Sequence, residues 1–427
     1  MPVILPTPPS DTTPPAMPYP FVWAALFVAI MAMGVAYTLL TWPKGAPTDA
    51  VWFWLRLLFF PAMAWSLLLG LRLLYVEQET DRMRAELDQW EEDRGDAVRF
   101  AQEPLALLGT AYQCGVGSRA VSETMAQGRQ SIAAHQPDEG IAAIPHTRLT
   151  MLEGPLEARY ETCFIDLLER LDDALCALPA GVPLEVYLQG IEPTPAPRQH
   201  NDALTQNNQD GRLNILAIWQ RCWTGFGHRE VPTHALPSHD SMMALDAWLD
   251  EHGGPALEKF ALVVAVQLHP SPPANSAEAA VALLLGWAPL AQRKALPIDA
   301  LLHRPMAMND GTLPDTVATA LLWGHAEAAD VAGLWQATLD GATKTDVVKA
   351  ASDLSVAACT TDGLKGVHDI DHVLGDAGIA APWLALAFAA EHAARTGAPQ
   401  AVTTRCPTLC MAVVQPAMRS DNAGSQG

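Results

Sequence analysis

The sequence predicts a layered α/β domain that follows a two-helix transmembrane hairpin. Residues 21–42 and 51–75 form two long apolar stretches near the N-terminus. Each stretch is long enough to cross a bilayer core of about 30 Å as a helix. From about Pro104 onward, small-residue helices alternate with short apolar strands, and this alternation is typical of layered α/β domains.

The two apolar stretches are best interpreted as membrane spans. Phe21–Trp42 contains no ionisable side chain, and Val51–Tyr75 carries only Arg56 and Arg72, near its two ends, where long side chains can reach the interface. The alternative is a cleaved signal peptide followed by a buried core helix. That alternative is disfavoured because no Lys or Arg precedes the first stretch and because the stretch is longer than the apolar region of a signal peptide.

The distribution of basic residues predicts the orientation of the hairpin. The link at residues 43–50 holds only Lys44, whereas several arginines lie in or after the end of the second span. The positive-inside rule therefore places both termini in the cytoplasm and the link in the periplasm, if the host is a Gram-negative bacterium. We expect a multi-pass protein of the bacterial inner membrane with two spans.

Composition divides the chain into five predicted regions. They are a disordered Pro-rich tail (1–20), the transmembrane hairpin (21–76), a charged juxtamembrane helix (77–102), a cytoplasmic α/β domain (103–416) and a disordered tail (417–427). Seven scattered cysteines, an odd number, suit a reducing compartment rather than a disulfide framework. The net charge of −21 argues against binding to nucleic acid or anionic lipid.

Within the large domain, apolar periodicity predicts the order of the main elements. Phe260–Leu268 is a continuous β-branched run and predicts a strand buried on both faces, with Ala279–Leu285 as its partner. The other predicted strands are Glu185–Gly190, Leu213–Trp219 and Leu409–Val414. The predicted helices are Ser241–His252, Thr316–Leu322, Val331–Leu339, Trp383–Arg395 and an amphipathic segment with an acidic face around residues 161–175. Residues 192–212 are rich in Pro, Asn and Gln and predict a surface loop.

Isolated polar motifs do not predict a metal or cofactor site. His368 and His372 are four residues apart, so on a helix they would share a face and could bind zinc. The sequence offers no third ligand beside them, and we predict neither a metal nor a cofactor. Cys406 and Cys410 are predicted to lie in one strand, facing the same side, as small buried hydrophobic residues.

Two further groups of side chains have ordinary interpretations. One group of polar residues lies in a predicted loop, and we expect its side chains to face solvent. The group comprises His228, His234, His239 and Asp240. Three aromatic residues, Trp219, Trp223 and Phe226, are either an exposed interface patch or part of the core. No P-loop, dinucleotide-binding glycine fingerprint or GxSxG elbow is present in the sequence.

One stretch of the domain resembles the thiolase-like fold of the β-ketoacyl synthases. A turn (PSHDS), a helix (SMMALDAWLDEHGG) and a strand (KFALVVAVQL) follow one another from Pro237 to Leu268, and the small-residue run Ala279–Leu285 comes next. Nearer the C-terminus, His372-Val-Leu-Gly-Asp-Ala-Gly378 leads into an Ala/Leu-rich helix, and CPTLCMAVVQ falls where that family has its last core strand. The resemblance covers roughly residues 155–416.

The resemblance implies a domain whose catalytic set is incomplete. It places Ser238 at the position of the family's nucleophilic cysteine and His372 at the family's second histidine. The family's first catalytic histidine lies in a His-Gly-Thr-Gly-Thr motif, which this chain lacks; Gly324-His325 is the nearest equivalent. Ser238 and His372 are therefore vestigial candidates, and we expect no enzyme activity.

The layout as a whole resembles a bacterial membrane-anchored family that includes an adaptor for a lipase effector of the type VI secretion system. Stretches such as Leu285–Pro305 carry this resemblance. It implies a non-catalytic adaptor that binds a protein partner, either a secreted lipase effector or a secretion spike protein. Pairing of two copies through a sheet edge is a further implication of the thiolase-like resemblance.

Two other functions remain open from the sequence. One is a membrane-bound acyltransferase or condensing enzyme that uses Ser238 or a free cysteine together with His372. The other is a structural scaffold of an envelope complex. The missing catalytic motifs favour binding over catalysis, whereas adaptor and scaffold have the same expected sequence features.

Overall fold

A computed structural model gives the conformation of most of the chain. The described residues are 3–9, 15–45, 47–128, 132–135, 143–149, 154–190, 214–308 and 311–417. The predicted loop at 192–212, part of the Pro-rich tail and nearly all of the predicted C-terminal tail lie outside them. The chain forms two compact units, Ile4–Ala97 and a larger unit that begins at Val98.

The N-terminal unit contains two helices that are long and apolar enough to cross a membrane. Helix α1 is Pro20–Thr41, and a second helix runs through Val51–Ala101. The second helix consists of α2 (Val51–Trp54), one π-helical turn (Leu55–Phe59) and α3 (Phe60–Ala101). Only 6% of the apolar window of each helix is buried, whereas the core helix of a soluble protein would be covered on most of its surface.

The two apolar helices pack closely against each other. A Cβ atom on Gly34 would lie 2.2 Å from Cγ of Pro61, so only glycine permits this approach. Pro61 lacks an N–H group and lies two residues after the π-helical turn, as expected where the regular ladder is interrupted. The Trp65 indole donates to the carbonyl of Trp23 at 3.0 Å, and its ring meets Phe27 edge-on at 5.0 Å.

The larger unit is built from fourteen strands and ten helices among its described residues. The strands are β1 (Leu105–Cys114), β2 (Ala133–His135), β3 (Ile144–Thr147), β4 (Leu184–Gln189), β5 (Thr233–Leu236), β6 (Phe260–Gln267), β7 (Ser276–Ala277), β8 (Ala279–Trp287), β9 (Ala300–Leu302), β10 (Met306–Ala307), β11 (Gly333–Gln336), β12 (Val367–Asp369), β13 (Gln400–Cys406) and β14 (Thr408–Pro416). The helices are α4 (Val121–Ala126), α5 (Leu156–Cys176), α6 (Ile215–Gly225), α7 (Met243–Leu249), α8 (Ala288–Arg293), α9 (Leu313–Trp323), α10 (Gly341–Asp353), α11 (Ala357–Thr360), α12 (Ile370–Leu374) and α13 (Ala381–Thr396).

Eleven strands form one mixed sheet with a parallel group at each end. The order is β12-β11-β13-β14-β9-β1-β8-β6-β4-β5, with β10 on β14. Strands β5, β4 and β6 are parallel to one another, and so are β12, β11 and β13. We call these groups the first arm (β4, β5, β6) and the second arm (β11, β12, β13). The strands between them pair antiparallel.

Three hydrophobic clusters show that the unit has five layers. One cluster packs α5, α6 and α8 on one face of the first arm, and another packs α9, α10 and α11 on one face of the second arm. The third cluster lies between the arms and contains α7 and α13. Twelve of the 16 residues of α13 are buried, as expected for a helix that is apolar on all sides.

Strand β6 confirms the prediction of a strand buried on both faces. Ala261 and Val263 contribute to the central cluster, while Leu262 and Val264 contribute to the outer one. Its predicted partner β8 pairs with it antiparallel. The predicted strand at residues 185–190 and the helices at 316–322 and 383–395 are also present, as β4, α9 and α13. The helix predicted at Ser241–His252 is shorter, since α7 ends at Leu249.

The prediction of a strand at Leu213–Trp219 is wrong, because this segment begins helix α6. The Asn214 side chain accepts a hydrogen bond from Ala217 N at 3.0 Å and caps the helix. The buried residues Ile218, Trp219, Cys222 and Trp223 recur at helical spacing on one face. Seven residues are too few to show a period in this apolar run. The buried face of the helix is recognisable only over the eleven residues of α6.

The helix predicted at Val331–Leu339 is also wrong, because Gly333–Gln336 forms strand β11. All four residues are buried, and they pair in parallel with both β12 and β13. Leu and Ala in this segment favour a helix locally, but a central place in a sheet overrides that preference. Cys406 and Cys410 likewise do not share a strand, because a turn separates β13 from β14.

Candidate functional site

The carboxyl ends of the first-arm strands bring together uncharged polar side chains. Gln189 ends β4, and its buried side chain donates to the carbonyl of Ser238, at 3.3 Å, in the turn after β5. The same amide accepts a hydrogen bond from the indole of Trp383, near the start of α13. Since parallel strands present their carboxyl ends at one edge of a sheet, these side chains from distant parts of the sequence meet there.

A tight segment before α13 covers this edge. Asp376 exchanges backbone hydrogen bonds of 2.8 Å with the residues around Ser276: its N–H donates to Asn275 O, and its carbonyl accepts from Ala277 N. Gly375 has φ +95°, and a Cβ there would lie 2.8 Å from two backbone carbonyl oxygens, so glycine is required.

The turn between β5 and α7 holds two serines in different environments. Ser238, predicted from the resemblance as the nucleophile position, is exposed. Ser241 is buried, has the left-handed φ of +33°, and its Oγ has no hydrogen-bond partner among the described residues. Sequence reasoning missed Ser241, although a serine directly before an apolar helix was a visible signal. His239 and Asp240 lie between them, exposed, with Nε2 and Oδ1 3.5 Å apart.

A cavity of about 390 Å³ adjoins the same turn and α7, and Lys259 and Tyr187 are among its lining residues. Lys259 Nζ donates to the Tyr187 hydroxyl at 2.9 Å and to Glu185, outside the lining, at 2.6 Å. Although burial alone would lower the pKa of Lys259, the hydrogen bond to Glu185 raises it above its ordinary value. The lysine is thus held as a cation and does not serve as a base.

The carboxyl ends of the second-arm strands carry charged side chains instead. Lys344 of α10 lies 2.6 Å from Asp369, at the end of β12, and 2.9 Å from Asp371 in α12. Asp371 also accepts from the backbone N–H of Thr338 at 3.1 Å, and Thr338 follows β11 with a left-handed φ of +58°. The three ionic side chains are mostly buried and hold α10 and α12 against the sheet.

Burial and ion pairing act in opposite directions on this group. Burial raises the pKa of Asp371, and the charge of Lys344 opposes that rise. Burial would lower the pKa of Lys344, but its bonds to Asp369 and Asp371 raise it above the ordinary value. The ammonium group of Lys344 is engaged by the carboxylates of Asp369 and Asp371. We therefore interpret these three side chains as structural.

His372 belongs to this second group and Ser238 to the first. His372 is an exposed residue of α12, and its backbone N–H donates to Asp369 Oδ1 at 3.0 Å. Helix α12 packs on β11, at the opposite arm from the turn that carries Ser238. The two vestigial candidates predicted from the sequence thus occupy different polar groups.

The structure does not place His368 and His372 on one helix. His368 lies in β12, buried against Trp335 with ring centroids 4.3 Å apart, whereas His372 lies in the helix that follows. The two therefore share no helix face. Burial lowers the pKa of His368 to about 4. His325, the nearest equivalent of the family's first catalytic histidine, lies two residues after the end of α9 and not after a strand.

The aromatic residues considered as an interface patch belong to the core. Trp219 and Trp223 are buried, and Trp219 packs edge-on against Phe164 at 5.2 Å. Phe226 is half-buried and stacks on His228. His228 and His234 also depart from the predicted loop cluster, because the His228 ring is mostly buried and His234 lies in strand β5.

Comparisons with solved structures find ketosynthase domains. The ketosynthase from module 1 of the bacillaene synthase of Bacillus amyloliquefaciens FZB42 has a TM-score of 0.53 at 14% identity, over 77% of this chain and 75% of its own. An oxazolomycin ketosynthase domain from Streptomyces albus JA3453 has a TM-score of 0.51 at 13% identity, over 74% of each chain. The ketosynthase from module 6 of the bacillaene synthase of Bacillus subtilis 168 has a TM-score of 0.51 at 12% identity, over 74% of this chain and 73% of its own.

The fold is thiolase-like. The five layers, with α7 and α13 between the two arms, agree with the similarity to ketosynthases, and the predicted fold class is confirmed. No protein-family model matches the sequence, and a comparison with curated proteins finds no match. At identities of 12–14%, the likeness of this thiolase-like chain to ketosynthases concerns the backbone fold; function depends on the site residues.

Proposed function

We propose that this chain is a membrane-anchored, non-catalytic adaptor that binds a protein partner through its thiolase-like unit. One observation carries the proposal: Ser238 enters the hydrogen-bond network of the described residues only through its backbone carbonyl, so its hydroxyl has neither His372 nor another base as a partner there. A hydroxyl without an adjacent base is a weak nucleophile at neutral pH.

The environment of the strand ends supports a binding role. Gln189 is engaged by Trp383 and Ser238, and Lys344 by two carboxylates. Side chains committed in this way stiffen the fold and contribute little to turnover. A fold of this size still offers a large surface and a cavity beside α7 to a partner.

The two apolar helices support anchoring in a membrane. The distribution of basic residues is the basis for proposing the inner membrane with both termini in the cytoplasm. A tether raises the effective concentration of a partner near a membrane machine without high intrinsic affinity. The arrangement of hairpin, juxtamembrane helix and thiolase-like unit resembles the family that includes the type VI secretion adaptor. A secreted lipase effector or a spike protein of that system is therefore the proposed partner.

The test is purification of the tagged full-length protein from its native host in mild detergent, with mass spectrometry of the co-purifying proteins. The proposal expects a lipase effector or a spike protein in near-stoichiometric amount, retained in the Ser238→Ala and His372→Ala variants. A stable envelope complex without any effector would instead support the scaffold function. Recovery of acyl carrier protein or of covalently bound acyl groups would overturn the adaptor.

One observation favours the enzymatic alternative, a membrane-bound acyltransferase or condensing enzyme. Ser241 has a strained backbone and a buried Oγ without a hydrogen-bond partner among the described residues, and such strain clusters at active sites. A fluorophosphonate probe distinguishes the two functions. Labelling that disappears in Ser241→Ala but persists in Ser238→Ala would establish a reactive serine, while absence of labelling supports the adaptor.

A further inference from the structure

Three side chains from α5 and from the segment after α6 converge in the outer helical layer. Asp172 and Cys176 are one turn apart on α5, and His228 follows α6 by three residues. Their nitrogen, sulfur and oxygen atoms all lie within 4.8 Å of one another. His228 Nε2 is 3.4 Å from Asp172 Oδ1, and Cys176 Sγ is 3.8 Å from the same oxygen.

The imidazole of His228 is positioned before any ligand arrives. Its ring packs on Trp223 at 4.9 Å and stacks on Phe226 at 6.0 Å. The backbone beside it is fixed by Arg229, which donates to the carbonyls of Ala180 and Val182 at 2.8 Å. The His228 side chain is only 10% exposed, so the ring has little freedom to turn away.

The His228 Nε2 atom has no hydrogen-bond partner in the part of the chain that the structure describes. It is buried and aimed at Asp172, yet the 3.4 Å contact does not have hydrogen-bond geometry. A buried polar atom in a folded protein is usually satisfied, so an exception calls for an explanation such as an ion. This observation is independent of the clustering and points to a ligand between the three side chains.

The separations fit a tetrahedral zinc ion. Zinc bonds of about 2.0–2.1 Å to nitrogen and oxygen and about 2.3 Å to sulfur imply ligand atoms roughly 3.3–3.6 Å apart. The separations of 3.4 Å between His228 Nε2 and Asp172 Oδ1 and of 3.8 Å between Cys176 Sγ and the same oxygen are close to those values. A thiolate, an imidazole and a carboxylate together favour zinc over magnesium or calcium, which prefer oxygen ligands.

We propose that Asp172, Cys176 and His228 bind one Zn²⁺ ion, with water at the fourth position. The ion would join α5 to the segment that leads from α6 into β5, the edge strand of the first arm. Its role is structural stabilisation of this outer layer. The proposal is independent of the adaptor function, since none of the three side chains belongs to the polar groups at the strand ends.

The test uses full-length protein in detergent, purified without a polyhistidine tag and stripped with a chelator. Zn²⁺ affinity is measured by competition with a chromophoric chelator, and Co²⁺ is added separately to report the ligands by absorption. The proposal expects one metal per chain, a thiolate-to-cobalt charge-transfer band and tetrahedral ligand-field bands. Cys176→Ser should abolish the charge-transfer band and weaken Zn²⁺ binding by about 100-fold.

His239→Gln is the matched control. It removes an exposed histidine whose Nε2 lies 3.5 Å from Asp240 in the same way, but without a neighbouring thiol. Its Zn²⁺ affinity should equal that of the unmodified protein. His228→Gln should lose binding, and Asp172→Asn provides a second ligand variant on an exposed helix face if the former does not fold. Sub-stoichiometric binding, or equal affinity in Cys176→Ser and the control, would overturn the proposal.

Discussion

The two arms of the sheet share an architecture but differ in the chemistry at their strand ends. In the first arm the ends carry uncharged groups, with Gln189 between Trp383 and Ser238. In the second arm they carry a lysine between two aspartates. The regions around the carboxyl ends of the two arms thus contain a neutral network in one case and an ionic network in the other. The fold determines where polar groups gather, and the individual residues decide what they do.

The largest effect is expected at the ionic centre of the second arm. Lys344→Met leaves Asp369 and Asp371 as an unpaired, mostly buried pair of carboxylates. We expect the free energy of unfolding to fall by about 3–5 kcal/mol, measured by urea unfolding in detergent. Lys349→Met, on an exposed face of the same helix, is the control and should change it by less than about 0.5 kcal/mol. If Lys344→Met and Lys349→Met reduce the free energy of unfolding equally, the ionic centre no longer distinguishes the second arm from the first.

The second arm should also make the protein sensitive to acid. Burial lowers the pKa of His368 to about 4, from an ordinary value of 6.5. Between these values the unfolded chain binds a proton that the folded chain does not, so stability falls as pH decreases below about 6.5. The contribution is about 1.4 kcal/mol per pH unit.

Replacing that histidine tests the acid sensitivity directly. His368→Phe should reduce the stability lost between pH 7 and pH 4.5 by about 2–3 kcal/mol, as measured by urea unfolding at both values. Part of the acid sensitivity should remain, because burial also lowers the pKa of His303 to about 4. An unchanged pH dependence would mean that His368 is not shielded from solvent.

A smaller loss is expected at the neutral network of the first arm. Gln189→Met keeps the volume of the side chain but leaves the buried indole N–H of Trp383 without its acceptor. The free energy of unfolding should fall by about 1–3 kcal/mol, which is the penalty of one unsatisfied buried donor. The exposed Gln127→Met variant serves as the reference in the same unfolding assay. A loss above that of Lys344→Met would reverse the comparison between the arms.

The smallest effects are expected at two residues with a strained backbone near the strand ends, Ser241 and Thr338. Ser241→Gly relieves a left-handed backbone without breaking a described side-chain hydrogen bond, and should stabilise the protein by about 0.5–1 kcal/mol. Thr338→Gly relieves similar strain but loses the hydrogen bond that the Thr338 hydroxyl accepts from Arg405 N. Its net effect should therefore be near zero. Melting temperatures of the two variants test this order.

The sequence predicted most of the fold but little of the site. Strand β6 was identifiable because seven consecutive buried residues leave an unbroken apolar run. Helix α6 and strand β11 were misassigned because their decisive features are a capping Asn214 and neighbouring strands on both sides. Short apolar segments fit either period until the rest of the chain is placed around them.

The site was less accessible because its groups are distant in the sequence. Gln189 and Trp383 meet across 194 residues, and Lys344 joins residues 25 and 27 positions further on. The resemblance to the β-ketoacyl synthases placed the nucleophile position at Ser238, while the structure makes Ser241 the buried serine of that turn. A displacement of three residues along a turn changes which side chain faces inward.

The amino-acid sequence by itself determined the two apolar helices and the buried central strands, because burial in lipid or in a core requires continuous local hydrophobicity. Only the tertiary structure decided that Ser238 and His372 belong to different groups, and that Asp172, Cys176 and His228 belong to one. Chemistry between side chains depends on distances of a few ångströms, and those distances are established by packing of segments far apart in the chain.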